Sequence, residues 1–408
     1  MPHPFHGRCV ALTTPDDTDY KTTRLRVATA EGLKDFEVSD AHDVRVGDIV
    51  EITASRARVL TRNRSGTMKW MQQVLDPRRI QAMKTRAKLE AETHSFFNSR
   101  GFLATRTPLV VPSPGMEPHI RPFRVTTATG PEPELAGFLP TSPEFAMKRL
   151  LVGGLERVYQ LSPAFRHEPR STTHHREFTM LEWYRAYAGY TDIMKDTEEL
   201  FSTLALRLFG EARLKFQGQN ISVATPWPRL KVRDLFTSLA GVDLVKSSQT
   251  EDLAQECLRL GLKPAPTDTW DDLYFRIWLN IVEPALPADR AVFVVDYPAS
   301  QSALAVVAAD PDGSHWARRF EVYAGGLELG NAFEELTDPV EQRTRFAEDM
   351  ELRARVYGND FPATPMDEEF LGALEEGLPP SGGIAVGFDR LVMLFADEPQ
   401  IDYTFWLP

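Results

Sequence analysis

The spacing of apolar residues divides the chain into two regions with different predicted secondary structure. Up to about residue 75, short β-branched runs such as TRLRVATA, VGDIVEITA and ARVLT alternate with turn residues. Several short strands in so few residues predict a small β-rich domain over residues 1–75, with an OB-like barrel as the specific expectation. Such a barrel can be a structural or docking appendage or a binder of single-stranded nucleic acid. Its nearly balanced acidic and basic residues favour the appendage.

From Pro77 onwards the apolar positions recur mostly at helical spacing. The segment PRRIQAMKTRAKLEAETHSFFNSRG predicts a long helix that Gly101 ends, and a strand-like FLATRTPLVV follows it. Further on, strands and helices occur in clusters rather than in strict alternation, which predicts an α+β domain with an antiparallel sheet over residues 76–408. The proline-rich stretches ATPWPR and KPAPTD set off residues 226–290 as an insertion.

Composition and charge exclude several classes of protein. The 408 residues include two cysteines, Cys9 and Cys257, and carry a net charge of −12. Two distant cysteines without ligand spacing exclude a disulfide scaffold and a zinc ribbon, and they favour a reducing cytoplasm. The net charge argues against indiscriminate coating of nucleic acid. No apolar run approaches the ~20 residues of a membrane span, so we expect no membrane partner.

Charged and large apolar side chains are interleaved in FRHEPRSTTHHREFTMLEWYRAY, residues 165–187. Because each buried charge needs a partner, this pattern is typical of a polar pocket inside a core. If Arg166-His167-Glu168 ends one strand and Glu177–Tyr184 forms the next, alternation brings an arginine, carboxylates and a phenol to one space. An arginine there suits a phosphate, and a carboxylate suits an ammonium or an adenine amino group. The same pattern is also compatible with an ion-pair network on a sheet.

Two later segments add a carboxylate pair and a glycine-rich strand. Glu321 and Glu328 lie seven residues apart across the Gly325-Gly326 turn, which can bring two carboxylates together on adjacent strands to hold Mg²⁺ beside a phosphate. In GGIAVGFDRLVM, small residues allow a close approach of the backbone to a flat ligand, and Arg390 lies at a helix start. The chain has no P-loop motif, so arginines and a metal would have to bind the phosphates.

Several of these segments resemble one enzyme family. FRHE…HHREFTMLEWY resembles motif 2 of the class II aminoacyl-tRNA synthetases, GIAVGFDRL resembles their motif 3, and the helix before GFLATRTP resembles motif 1. TSPEFAMKRLLVGGLERVYQL and LELGNAFEELTDPVEQRTRF are similar to the lysyl-tRNA synthetase branch. The resemblance covers about residues 77–405. It implies an antiparallel sheet of six or seven strands flanked by helices, a homodimer built on the motif 1 helix, and ATP-dependent adenylation of an amino acid.

The resemblance also implies roles for individual residues. ATP would be bound by Arg166, His167, Glu168, His175, Glu328, Leu329, Gly387 and Arg390, with Arg166 and Arg390 as the catalytic arginines. Mg²⁺ would be held by Glu321 and Glu328. The amino acid would be bound by Ser142, Pro143, Glu144, Glu182, Tyr184, Asn331, Glu335 and Ala385. His175 departs from the family pattern, which commonly has asparagine at this position.

Within this branch the resemblance leaves the acceptor open. Three features are closer to the paralogue that ligates lysine, usually (R)-β-lysine, to a lysine of translation elongation factor P. These are the short and neutral N-terminal region, the stretch YPASQSALA, and Ala385 where the synthetases usually have glycine. Residues 1–75 depart from the paralogue, which commonly lacks an N-terminal barrel. We therefore expect an elongation factor P–lysine ligase.

Two alternatives stand beside this expectation. One is a lysyl-tRNA synthetase with a reduced anticodon-binding domain, for which tRNA would be the acceptor. The other is a catalytically inactive synthetase-like regulator. Such a regulator should have lost an arginine of motif 2 or 3 or a metal carboxylate, and Arg166, Glu321, Glu328 and Arg390 are all present.

Overall fold

The computed structural model describes residues 4–13, 22–29, 32–41, 43–127, 134–358 and 364–407. The chain forms two compact units. One comprises Met1–Ile80 with Trp406–Pro408, and the other comprises Gln81–Phe405. The sequence placed this boundary between residues 75 and 76, a few residues earlier.

The first unit is built on a sheet that has five strands in its described part. These are β1 (Phe5–Thr13), β2 (Thr23–Thr29), β3 (Gly32–Val38), β4 (Ile49–Thr53) and β5 (Arg56–Thr61), followed by helix α1 (Lys69–Val74). The strand order is β3-β2-β1-β4-β5, and a parallel bridge from Asp40 to Arg56 links the chain after β3 to β5. This arrangement is compatible with a small closed barrel, so the OB-like barrel stays a prediction.

The second unit is built on a large sheet with nine strands among the described residues. They are β6 (Leu103–Ala104), β9 (Arg157–Phe165), β10 (Glu177–Ala186), β13 (Arg229–Lys231), β14 (Val292–Pro298), β15 (Val307–Ala309), β16 (His315–Ala324), β17 (Leu327–Glu334) and β18 (Ser381–Gly387). The order is β13-β14-β16-β17-β18-β10-β9-β6, and β15 pairs with β16. Two short hairpins accompany it: β7 (Arg124–Thr126) with β8 (Leu135–Phe138), and β11 (Arg213–Phe216) with β12 (Gln219–Ser222).

This sheet is larger and less regular than the resemblance implied. The strands from β14 through β9 in this order pair antiparallel, as expected. At the two edges β13 pairs parallel with β14, and β6 pairs parallel with β9. The expected strand FLATRTPLVV is reduced to Leu103–Ala104. Further along, Pro108 and Pro112 have no N–H to donate to a ladder, and Val111 bonds to Phe138 instead.

The helices of the second unit flank the sheet. They are α2 (Pro77–Ser99, which begins in the first unit), α3 (Glu144–Val152), α4 (Tyr190–Phe209), α5 (Val232–Leu235), α6 (Thr250–Arg259), α7 (Trp270–Ile277), α8 (Pro339–Tyr357), α9 (Glu368–Gly377) and α10 (Phe388–Ala396). Phe236–Ala240 and Trp278–Val282 are π-helical, and Glu283–Ala285, Ala299–Gln301 and Ile401–Thr404 form 3₁₀ turns. Among the described helices, none is both long and apolar enough to cross a bilayer.

Alternation along the strands divides the core into layers. On β14, Phe293 and Val295 pack in the cluster that contains α2 and α4, and Val292 and Val294 pack in the cluster that contains α5 to α7. Most of residues 226–290, expected as an insertion, therefore packs on one face of the sheet through α5 to α7, whereas Trp227 packs in the cluster on the other face. The same range supplies β13 to the sheet edge.

The face of β10 that carries the candidate site follows from the same alternation. Leu181 and Trp183 lie in the core with α2 and α4. Tyr184 lies in a third cluster with Met147 of α3, and Glu182 shares its face because side chains two residues apart on a strand point the same way. The expected pocket thus opens towards α3.

Candidate active site

Three neighbouring strands carry a row of predicted site residues across the centre of the large sheet. Ala385 of β18 is in register with Glu182 of β10 on one side and with Asn331 of β17 on the other. Directly paired residues of an antiparallel sheet share a face. The sequence could not show this pairing, because the three strands lie far apart along the chain.

Glu182, at one end of this row, has a buried side chain. Glu182 accepts hydrogen bonds from the Ser142 hydroxyl at 2.6 Å and from the Tyr184 hydroxyl at 2.9 Å. Burial, reinforced by the negative charge of Glu144, raises the pKa of Glu182 to about 8. The side chain is therefore largely protonated at neutral pH, and a cation beside it would favour the ionised form.

A second carboxylate and a lysine complete the polar cluster. Glu335 follows β17 directly and its side chain is buried. The Nζ atom of Lys148 lies 2.5 Å from Glu335 Oε2 and 2.5 Å from Glu144 Oε1. Glu335 Oε1 is buried and has no hydrogen-bond partner in the described part of the chain. An unpartnered buried carboxylate oxygen is a strong acceptor for the ammonium of a ligand.

One glycine of the motif 3 strand makes room for this cluster. A Cβ atom at Gly383 would lie 2.1 Å from Cδ1 of Tyr184 and 2.8 Å from Oε1 of Glu335. The small residues of this strand predict a close approach of the backbone to a flat ligand. At Gly383 the structure gives a different reason, which is the approach of the Tyr184 ring.

Arg166 lies in the loop after β9 rather than in the strand. The strand ends at Phe165. The Arg166 N–H still donates to the Arg176 carbonyl at 2.9 Å, but the His167 N–H turns away and donates to the Arg121 carbonyl at 2.7 Å. The Arg166 guanidinium lies 5.1 Å from the centre of the Phe178 ring. Its Nε is buried without an acceptor among the residues that the structure describes, so this donor is available for a ligand. Glu168 follows in the same loop.

Arg390, near the start of α10, is held by the backbone and by a histidine that the sequence analysis missed. Its Nη1 donates to the Glu328 carbonyl at 2.7 Å, and its Nη2 lies 2.8 Å from Nε2 of His174. Arginine can only donate, so this His174 nitrogen is the acceptor. Burial and the charge of Arg390 lower the pKa of His174 accordingly. The only feature of the sequence that could have indicated a role for His174 is that it lies next to a second histidine, His175.

His175 points to another neighbour. Its ring stacks on Phe405 with centroids 4.6 Å apart, and the residue is half-buried. A contact between His175 and adenine stays a prediction.

The predicted metal carboxylates lie on paired strands. A bulge between Val322 and Tyr323 shifts the register of β16 and β17, so that Glu321 pairs with Asn331 and Tyr323 pairs with Glu328. The Arg319 Nη2 lies 2.5 Å from Glu321 Oε1, and the Tyr323 hydroxyl donates to Oε2 at 2.8 Å. Partial burial and the charge of Glu321 raise the pKa of Glu328 to about 7.

This pair fits a divalent ion only if other ligands are added. The two negative charges repel one another, and a shared cation would relieve this repulsion. No group of three or more His, Cys, Asp or Glu side chains with metal-binding geometry occurs in the described ranges. Mg²⁺ commonly takes one or two carboxylates together with phosphate oxygens and water, and the donor set of Glu321 and Glu328 fits that mode.

The remaining predicted residues surround these groups. Pro143 precedes α3, Leu329 is buried in β17, and Gly387 is the last residue of β18, directly before α10. A cavity beside the start of α3 is lined by Pro143 and by Glu117, which the sequence analysis did not select. Burial raises the pKa of Glu117, and its Oε2 finds no partner within the described residues.

Comparison with known proteins gives consistent matches. Residues 63–408 match the family model described as tRNA synthetases class II (D, K and N). The chain is 39% identical over 338 residues to a lysine–tRNA ligase of Pelotomaculum thermopropionicum, which covers 82% of this chain and 64% of that protein. It is 37% identical over 341 residues to a lysine–tRNA ligase of Roseiflexus sp. strain RS-1, and this match covers 83% of this chain and 67% of that protein. The chain thus spans about two thirds of the length of these relatives.

Replacing Glu182 with glutamine should change how stability depends on pH. The folded pKa of about 8 lies above the ordinary value of 4.5, so between these values the folded chain keeps a proton that the unfolded chain has lost. The free energy of unfolding of the unmodified chain, relative to Glu182→Gln, should fall as pH rises from about 5 to 8, by at most about 1.4 kcal/mol per pH unit. It should level off above the folded pKa.

Urea denaturation of both proteins across this pH range measures the effect. Glu156→Gln, at an exposed glutamate, is the control and should show a nearly constant difference. A constant difference for Glu182→Gln as well would contradict the raised pKa.

Proposed function

Because the chain belongs to the class II tRNA synthetases of the D, K and N group, we propose that it activates lysine with ATP and Mg²⁺ and transfers it to a lysine side chain of elongation factor P. The preferred substrate in this proposal is (R)-β-lysine. The observation that carries the activation step is the buried acceptor Glu335 Oε1. A Cβ atom at Gly383 would lie 2.1 Å from the Tyr184 ring and 2.8 Å from Glu335 Oε1, so this acceptor lies next to Tyr184.

The proposed chemistry needs no nucleophilic side chain. A carboxylate oxygen of the substrate attacks the α-phosphorus of ATP in line, and pyrophosphate leaves. Arg166, with its unpartnered Nε, would neutralise charge at the α-phosphate, and Arg390 would bind the γ-phosphate. Mg²⁺ on Glu321 and Glu328 would supply further charge neutralisation at the phosphates.

The second step transfers the activated group. The neutral amine of the acceptor lysine attacks the carbonyl carbon of the adenylate, an amide forms, AMP leaves, and the amine loses a proton to solvent. In both steps the chain acts by positioning and by electrostatics.

A protein acceptor is supported by the charges of the first unit. Arg26 pairs with Asp35 at 2.8 Å, and Arg58 pairs with Glu51 at 2.9 Å. Arg62 lies 2.7 Å from the fully buried carboxylate of Asp48. Arginines that bind a nucleic-acid backbone leave their guanidinium groups available for phosphates. These three are already engaged, which favours a docking or structural role for the first unit.

Transfer to tRNA is the second candidate. The two relatives named above are lysine–tRNA ligases, so the comparisons support this candidate better than they support a protein acceptor. One structural feature also favours it: Phe5, 42% exposed, packs against Phe36 with ring centroids 5.2 Å apart, and Lys34 lies 4.8 Å from the Phe5 ring. An exposed aromatic next to a cation is a platform on which nucleic-acid bases stack.

We also propose a homodimer built on the motif 1 segment. Leu103 of the edge strand β6 is 53% exposed and Val110 is 50% exposed. Exposed large apolar side chains at a sheet edge and in the segment that follows it are typical of a surface that a partner covers. A second copy of the chain is the partner that the family implies.

The acceptor can be identified by mass. The full chain is incubated with ATP, Mg²⁺, either α-lysine or (R)-β-lysine, and either elongation factor P or lysine tRNA. We expect elongation factor P to gain the mass of one aminoacyl residue and the tRNA to stay uncharged. Charged tRNA with unmodified elongation factor P would instead establish the second candidate.

Substitution of Arg166 with alanine should abolish activation while the fold is kept. Loss of one charge-stabilising donor at the reacting phosphate should slow pyrophosphate exchange by roughly 10²–10³-fold or more. Arg170→Ala is the matched control, because Arg170 lies in the same loop but pairs with Asp402 at 2.7 Å on the surface. Exchange near the unmodified rate in Arg166→Ala would show that the motif 2 assignment is wrong.

The Ala385→Gly substitution should change the choice between lysine isomers. Ala385 lies in register between Glu182 and Asn331, so its methyl group takes space beside the substrate carbon that bears the amine. That carbon is next to the carboxylate in α-lysine and one carbon further along in β-lysine, and the methyl should crowd the first isomer. We expect Ala385→Gly to raise kcat/KM for α-lysine relative to (R)-β-lysine by at least about tenfold.

Ala332→Gly on β17 is the control, because Ala332 follows Asn331 and points to the opposite face. Parallel measurement of kcat/KM for both isomers in the three proteins tests the prediction. If the ratio is the same in all three, Ala385 has no role in specificity.

A further inference from the structure

The predicted amino-acid pocket already contains a lysine side chain of the chain itself. The side chain of Lys148 is 2% exposed, and its Nζ lies 2.5 Å from carboxylate oxygens of both Glu144 and Glu335. The resemblance assigned both glutamates to the substrate and assigned no role to Lys148. The ammonium of Lys148 thus occupies an environment of the kind that a substrate ammonium requires.

The surroundings of Nζ keep it charged. Burial alone would lower the pKa of Lys148, but the charges of Glu144 and Glu335 outweigh this effect and the pKa is raised. The Nζ atom also lies 5.9 Å from the centre of the Tyr184 ring and 6.0 Å from that of Phe333. Such distances are within the range of cation–π attraction.

The charges in this pocket can be counted. Glu144, Glu182 and Glu335 carry three negative charges when all are ionised, and Lys148 offsets one of them. Two negative charges then remain, which equals the number of ammonium groups on a lysine substrate. Burial raises the pKa of Glu182 and, against the opposing charge of Lys148, that of Glu335 as well. A further cation beside Glu182 or beside the unpartnered Oε1 of Glu335 would favour the ionised form of that carboxyl.

We propose that Lys148 is a specificity-determining residue that acts as a counter-ion within the pocket. It leaves two negative charges uncompensated, so that the pocket accepts a substrate with two ammonium groups and no more. This inference rests on the proposed activation of lysine. Without Lys148, Glu144 and Glu335 would be buried without a counter-charge. The side-chain ammonium of the substrate would then be attracted to the vacated position, which would hold the substrate in a non-reactive orientation.

The Lys148→Ala substitution tests this role through the split between kcat and KM. We expect kcat for lysine in pyrophosphate exchange to fall at least about tenfold, because misplacement of bound substrate affects the reaction more than binding. KM should not rise. Arg149→Ala, which removes an exposed ion pair with Glu369 on the same helix, should leave both constants unchanged.

Chemical rescue identifies the missing charge. Propylammonium has the atoms that Lys148→Ala removes, and it should restore kcat by at least about fivefold with saturation; 1-propanol fills the same space without a charge and should not. Equal rescue by both compounds, or a KM that rises while kcat is kept, would overturn the proposal and leave Lys148 with a packing role.

A second variant tests the proposal in case Lys148→Ala does not fold. Lys148→Met keeps most of the volume without the charge, so it should show the same fall in kcat but no rescue, because no space is left for propylammonium. Wild-type kcat and KM in a folded Lys148→Met would overturn the proposal. If the unmodified chain does not activate lysine at all, the proposed function is wrong, which is a separate outcome.

Discussion

The burial of several carboxylates at the centre of a sheet is the constraint on which the rest of the structure depends. An ionised carboxylate is costly to remove from water unless it gains a partner. The chain meets this constraint in three ways: two hydroxyl groups bond to Glu182, Lys148 compensates Glu335 and Glu144, and the raised pKa of Glu182 keeps a proton on it. A ligand with ammonium groups could replace the proton on Glu182 as the compensating charge. Lys148 would stay in place and continue to compensate Glu335 and Glu144.

The register of the sheet holds this arrangement together. Ala385 pairs with both Glu182 and Asn331, so a slip of one residue in either pairing would turn the polar row away from the pocket. The bulge between Val322 and Tyr323 also affects how the site residues are arranged. Because the bulge shifts the register, the positions of Glu321 and Glu328 relative to one another do not follow the regular alternation of the two strands.

The sequence predicts those parts of the fold and site that depend on local pattern. Alternation along β10 was enough to group Glu182 with Tyr184, and the helical spacing before Gly101 was enough to identify α2. The edge strand β13 was not predicted, and β6 was predicted only as part of a longer strand, because the parallel pairing of both depends on distant partners. Contacts such as that of His174 with Arg390 are also long-range, and a histidine in a loop carries no pattern that reveals its partner.

The contact between Arg390 and His174 has a consequence for the way a phosphate would be received. An arginine side chain has up to about 2 kcal/mol of rotamer entropy to lose when it is fixed. Here much of that freedom is already lost, because Nη1 is bound to the Glu328 carbonyl and Nη2 to an uncharged imidazole nitrogen. A phosphate oxygen that displaces the imidazole exchanges a neutral acceptor for an anionic one on a guanidinium that is already oriented. If Arg390 binds the γ-phosphate as proposed, His174 would hold its guanidinium in a suitable rotamer until the phosphate binds.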